Sequence, residues 1–140
     1  MPPVFHPDTK TLFHIDLAWL EKNGRDVRAE LHAALCDECR ALYPTPADAR
    51  LVDRVDPQTG EVKRVDALWE CLVDHCGHQP NFITPSTPLA TALFRALLAN
   101  GNQPMSPEQL HARIRKSTPA GILRVLLGAQ IENGIVPFES

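Results

Sequence analysis

Four cysteines are the residues of this chain with the most chemical potential: Cys36, Cys39, Cys71 and Cys76. The first two enclose two residues, Asp37 and Glu38, a gap that lets one turn of backbone aim two thiolates at one point. The second two are four residues apart, and His75 lies beside Cys76 and one helical turn beyond Cys71. Structural zinc takes four ligands in a tetrahedron, usually as two Cys/His pairs from separate segments. The expected site is therefore one Zn2+ per chain, held by Cys36, Cys39, Cys71 and Cys76, with His75 as the alternate ligand. His32 and His78 are more distant candidates. Four thiolates would leave no position for water, so such a site would be structural and non-catalytic.

Geometry limits this reading. At about 100° per residue, Cys71 and His75 share a helix face while Cys71 and Cys76 lie about 140° apart. Cys71 and Cys76 can converge only if the helix loosens near Gly77. Two other readings of the thiols remain: buried core cysteines, and a redox pair. For the latter, Cys36 and Cys39 are expected at a helix C-terminus, where the partial negative charge disfavours a thiolate.

Leu35-Cys36-Asp37-Glu38-Cys39-Arg40 resembles the Cys-x-x-Cys-Arg stretch of zinc-dependent cytidine deaminases. That resemblance implies a hydrolytic zinc enzyme with an upstream His-x-Glu acting in proton transfer. Here His14-Ile15-Asp16 stands in its place, with Asp instead of Glu, and Leu35 replaces the usual proline.

The elements that must position these residues follow from local signals. Asp16 is placed as the N-cap of a short helix ended by Asn23-Gly24. A second helix runs from about Asp26, with Val27, Leu31, Ala34 and Leu35 on one stripe, and ends near Cys36-Cys39. Residues 50–65 read as a hairpin: two β-branched runs flank Asp56-Pro57-Gln58-Thr59-Gly60. An isolated hairpin is marginal, so this one is expected to lie on other elements. A third helix starts at Asp66, presents Leu68, Trp69, Leu72, Val73 and Cys76, and stops at Gly77. Thr87-Pro88, Ser106-Pro107 and Thr118-Pro119 each put a hydroxyl N-cap before a proline, which predicts helices at 88–99, 107–115 and 119–132. Gln109 completes a capping box with Ser106.

The fold class expected is mainly α (α+β): a zinc-stapled N-terminal part, 1–84, carrying the hairpin, and a C-terminal three-helix unit, 85–140. The order helix, short helix, turn, longer helix, then Asn133-Gly134-Ile135-Val136-Pro137-Phe138 means that residues 87–138 resemble a winged-helix or helix-turn-helix domain. The resemblance implies a third helix in the DNA major groove. The candidate DNA-contacting residues are Arg113, Arg115, Lys116 and Arg124, of which only Arg124 falls within that helix. The helix is otherwise apolar on nearly every side, which favours a core or homodimer role over base reading.

Composition adds bounds. The net charge is −3, with residues 87–140 holding five Lys/Arg against three Asp/Glu, and 1–86 holding nine against fourteen. Neither half makes a strong nucleic-acid footprint. No apolar run approaches the roughly 20 residues of a membrane helix, and no secretory pattern opens the chain. The cytoplasm is the expected compartment, where thiols stay reduced. The functional expectation is a non-enzymatic interaction or adaptor module with a structural zinc. A zinc-containing DNA-binding regulator is the first alternative, and a zinc-dependent hydrolase or deaminase-like enzyme the second.

Overall fold

The computed structural model describes residues 6–48, 51–128 and 133–138. The fold is mainly helical, with two small antiparallel strand pairs. Strand β1 (Phe13–Ile15) is followed by α1 (Leu17–Lys22), α2 (Val27–Ala34) and α3 (Asp37–Leu42). Strands β2 (Leu51–Val55) and β3 (Val62–Asp66) form the hairpin, and α4 (Ala67–Asp74) grows directly out of β3. The last part holds α5 (Leu89–Ala99), α6 (Pro107–Ile114), α7 (Pro119–Gly128) and β4 (Ile135–Pro137). The final third of the expected 119–132 helix, residues 129–132, lies outside the described residues.

Aspartates set the starts of three N-terminal helices. The side chain of Asp16 accepts from Trp19 N–H, that of Asp26 from Arg28 N–H, and that of Asp66 from Leu68 N–H. Each satisfies one orphan donor of a first helical turn. Asp66 also pairs with the Arg28 guanidinium, which ties the start of α4 to α2. Ser106 and Gln109 form the full capping box of α6, and Thr118 Oγ1 accepts from Gly121 N–H at 3.0 Å. Thr87 differs from expectation. Its hydroxyl accepts from Thr84 N–H at 3.0 Å, and α5 begins after Pro88 with no side-chain cap. The Thr84-Pro85-Ser86-Thr87 turn captures the hydroxyl before the helix can use it.

One β-hairpin was expected; a second strand pair is present. β1 pairs antiparallel with β4, with His14 opposite Val136, and Phe13 also bridges Met105 through bonds of 2.8 and 2.9 Å. Asn102, at φ 58°, fixes this strand from the side. Its Oδ1 accepts from Ile15 N–H and its Nδ2 donates to Ile15 O, both at 2.8 Å. The core collects residues from both sides of residue 84, including Phe13, Leu31, Leu68, Leu72, Leu93, Leu97, Leu110, Ile122 and Leu126, each almost fully buried. Ile122 and Leu126 give α7 its inward side, so much of that helix's apolar surface is spent on the chain's own core.

The hairpin behaves differently from the reading of its sequence. Nearly all of β2 and β3 is exposed, and its contact with the body runs through Arg54, whose Nη1 donates to Glu70 at 2.8 Å, and through the β3–α4 junction. Glu70 and Asp74, on successive turns of α4, are the anchors of Arg54.

Candidate metal centre

Two helix boundaries build the site. The first is the junction of α2 and α3. Leu35 leaves helical geometry at ψ 149°, and Cys36 (φ −72°, ψ 167°) becomes the N-cap of a new helix. Asp37 and Glu38 occupy its first turn and Arg40 its last, charges that suit the helix dipole. The pair Cys36/Cys39 therefore opens α3; it does not close α2, as the spacing had been read. The electrostatic objection to a thiolate at Cys36 falls with that correction, because a helix N-terminus favours negative charge.

The second boundary is the end of α4. The helix stops at Asp74, His75 caps it at φ −128° and ψ −65°, and Cys76–His78 tighten into a 3-10 turn. This is the loosening near Gly77 that convergence demands. Gly77 is needed for a spatial reason: a Cβ there would lie 2.9 Å from Ala99 Cβ and 3.0 Å from the Leu72 carbonyl oxygen. The tight turn carries Cys76 round to the α2–α3 junction.

At the meeting point, ligand atoms of Cys36, Cys39 and His75 all lie within 4.8 Å of one another, an arrangement that could hold a metal ion. Cys76 Sγ is 3.5 Å from Cys36 Sγ and accepts from Cys36 N–H at 3.3 Å. The Cys39 thiol also lies close enough to those of Cys76, Cys71 and Cys36 for each to act on its ionisation. All four cysteines are free thiols. His75 Nε2 lies 2.7 Å from Glu38 Oε2, a carboxylate–histidine contact of the kind that orients metal-bound imidazoles. Cys39 and Cys76 are buried, whereas Cys36, Cys71 and His75 are half-exposed.

The thiols do not share one environment. Burial pushes Cys36 up, but the Cys39 backbone N–H, the Cys76 and Cys39 thiols and the His75 charge outweigh it, and Cys36 ends below the ordinary thiol value. Burial drives Cys39 strongly the other way, reinforced by its contacts with the Cys76 and Cys71 thiols. Burial also raises Cys76. One site thus mixes an acidic thiol with two that resist ionisation.

The remaining candidates lie elsewhere. His32 Nε2 is committed to the Tyr43 carbonyl at 2.7 Å, and His78 ends the 3-10 turn. Of the basic residues, Lys116 donates to the carbonyls of Pro85 and Thr87 at 2.9 and 2.7 Å, and Arg113 to that of Gly77 at 3.4 Å. Arg115 takes the left-handed C-cap of α6, and Arg124 is exposed on α7. The contact that sequence reasoning missed is Glu38, whose position in the first turn of α3 became legible only once α3 itself was recognised. No helix among the described residues is long and apolar enough to cross a membrane. Comparison with known proteins finds no matching family model, no matching curated protein and no matching solved structure.

Proposed function

We propose that the chain is a non-enzymatic interaction or adaptor protein whose helices are stapled by one zinc ion. The observation that carries this reading is the convergence of Cys36, Cys39 and His75 from two helix boundaries some 40 residues apart, with the Cys76 thiol in contact with Cys36 and that of Cys71 nearby. Thiolates and imidazole are the donors zinc prefers. Cys71 is the fourth ligand in this proposal, because His75 N–H bonds to the Cys71 carbonyl at 2.9 Å, one helical turn apart, which keeps both side chains on one side of α4. Cys76, buried behind Cys36, is the alternate sulfur. Three thiolates and an imidazole fill the tetrahedron, so no open position is left for substrate and the deaminase-like reading loses its water.

The interaction part of the proposal rests on the hairpin. Leu51, Val55 and Val62 are each more than half exposed, and a groove of about 590 Å3 runs between the hairpin and α4, lined by Lys63, Val65, Trp69, Val73 and Gln103. A concavity of that size, with Val65, Trp69 and Val73 set among polar residues such as Arg54, Asp66 and Glu70, suits a side chain or short segment of a partner protein. Unfolding with and without a strong chelator tests the staple. The proposal expects the chelated protein to melt at a lower temperature and zinc to restore the original value, since metal binding is part of the folding free energy. Identical melting curves for chelated and untreated protein would reject it.

DNA binding is the second reading. The order α5, the Met105 bridge, α6, α7 and β4, with Arg115 and Arg124 exposed, supports it. Phosphate contacts would make affinity fall steeply between 50 and 200 mM salt. No binding to duplex DNA at the lower salt would remove this reading.

A further inference from the structure

The site holds five donors for a four-coordinate ion, and the surplus is informative. Cys76 is wholly buried, yet its Sγ lies 3.5 Å from that of Cys36. Cys36 is half-exposed, and a recess of about 130 Å3 is lined by Cys36 and Cys76 together with Arg40, Asn81 and Arg95. We propose that Cys36 and Cys76 are an oxidation site for small hydroperoxides, closing to a disulfide that dismantles the metal centre. The metal-release part rests on the zinc reading above; the disulfide rests on the sulfur geometry alone.

The recess has room for hydrogen peroxide or a small alkyl hydroperoxide beside Cys36. The reaction balances in two steps. Cys36 sulfur attacks one peroxide oxygen; an S–O bond forms, the O–O bond breaks, and the departing hydroxide takes a proton to leave as water. Sulfur has lost two electrons and peroxide has gained them. Cys76 sulfur then attacks the Cys36 sulfenic sulfur; the S–S bond forms, the S–O bond breaks, and a second water leaves. Two thiols and one hydrogen peroxide give one disulfide and two waters; with an alkyl hydroperoxide the first leaving group departs as the alcohol, giving one alcohol and one water.

Cys76 is the resolving partner that the geometry selects. A disulfide needs an S–S distance of about 2.05 Å, so the pair has only about 1.5 Å left to close. The hinge for that movement is available, because Cys76 sits in a 3-10 turn beyond the helix end. Once Cys36 is in the disulfide, the metal keeps Cys39, Cys71 and His75, and loses a thiolate it cannot replace.

The test is peroxide titration of the full-length protein, metal content having been measured beforehand. Peptides of the unreduced digest are mapped by mass spectrometry, and freed metal is read with a chromogenic chelator. A Cys36–Cys76 cross-link, metal release mole for mole with it, and full reversal by dithiothreitol are expected. In Cys76→Ser, a sulfenic acid on Cys36 trapped by a dimedone-type reagent should replace the cross-link. A cross-link joining Cys36 to Cys39, or cysteines that survive peroxide unlinked, would overturn the inference. The same titration of chelator-treated protein separates the two claims. A Cys36–Cys76 cross-link in protein that never held metal would sink the zinc reading and keep the oxidation site. Tight metal with no cross-link would do the reverse.

Discussion

Replacing Gly77 with alanine should disturb the junction that delivers Cys76. Its backbone is not in the left-handed region, so the cost is steric. The added Cβ would sit 2.9 Å from Ala99 Cβ, on the rigid wall of α5, and 3.0 Å from the Leu72 carbonyl. Neither atom is the end of a flexible side chain, so α4 and α5 must part or the 3-10 turn must shift. Overpacking of this kind costs about 1–3 kcal/mol. Restricting the unfolded chain returns about 0.4–1 kcal/mol, leaving a net loss on the order of 1–2 kcal/mol. With a slope of about 1–3 kcal/mol per molar urea, the unfolding midpoint falls by roughly 0.3–2 M. The control is Gly128→Ala at the end of α7, where nothing lies within 4 Å of the new Cβ. There the change should be neutral or stabilise by up to ~1 kcal/mol. Urea unfolding followed by far-UV circular dichroism reads both variants. A Gly77→Ala midpoint equal to or above that of the native chain would refute the packing argument.

Other substitutions probe separate parts of the account. Ser106→Ala removes one half of the α6 capping box and should cost about 1 kcal/mol in the same urea assay, while Ser106→Asp retains most of the stability. Asn102→Ala takes away both side-chain bonds to Ile15 and leaves an alanine at φ 58°; the Ile15 amide should then exchange with solvent at least tenfold faster, by NMR. Asp56 accepts from Gln58 and Thr59 N–H in the hairpin turn, and the Gln58 bond above all holds its carboxyl below the ordinary value. Its folded pKa is depressed, so its contribution is present above the ordinary carboxylate pKa of about 3.9 and fades as pH falls through the lower folded value. Cross-strand contacts between Val55 and Val62, followed by NMR, should therefore weaken on acidification below about pH 4 in the native chain, and Asp56→Ala should show the weakened state already at neutral pH.

What the sequence made legible was whatever depends on neighbours in the chain. Asp16, Asp26, Asp66 and the Ser106/Gln109 box act within three residues, and each is found where its type and spacing put it. Three features needed more distant partners. β1 is three residues long and is held by Asn102, 87 positions away, and by β4, so no local pattern marks it. α3 was hidden because the helix from Asp26 was read as ending near Cys36–Cys39 with nothing helical after it; the acidic pair Asp37-Glu38 followed by Arg40 was the start signal of a new helix. The hairpin's strands and turn were readable from alternation, but its exposure was not, since β-branched residues pattern alike on a covered and on an open face. For the site, Cys36 and Cys39 as a metal-binding pair could be expected from spacing, with His75 as the alternate ligand. That His75 joins Cys36 and Cys39 depends on where α4 unwinds, which only the packing of Gly77 against Ala99 decides.

The central claim is that this chain holds a zinc ion through Cys36, Cys39, Cys71 and His75. Elemental analysis of protein purified without chelator, with Cys36→Ser, Cys71→Ser, Cys76→Ser and His75→Ala beside it, tests that most directly. Zinc equimolar with the native chain is expected, retained in Cys76→Ser and lost in the other three variants. Loss in Cys76→Ser with retention in His75→Ala would hand the site to the four cysteines, and native protein without metal would contradict the claim outright.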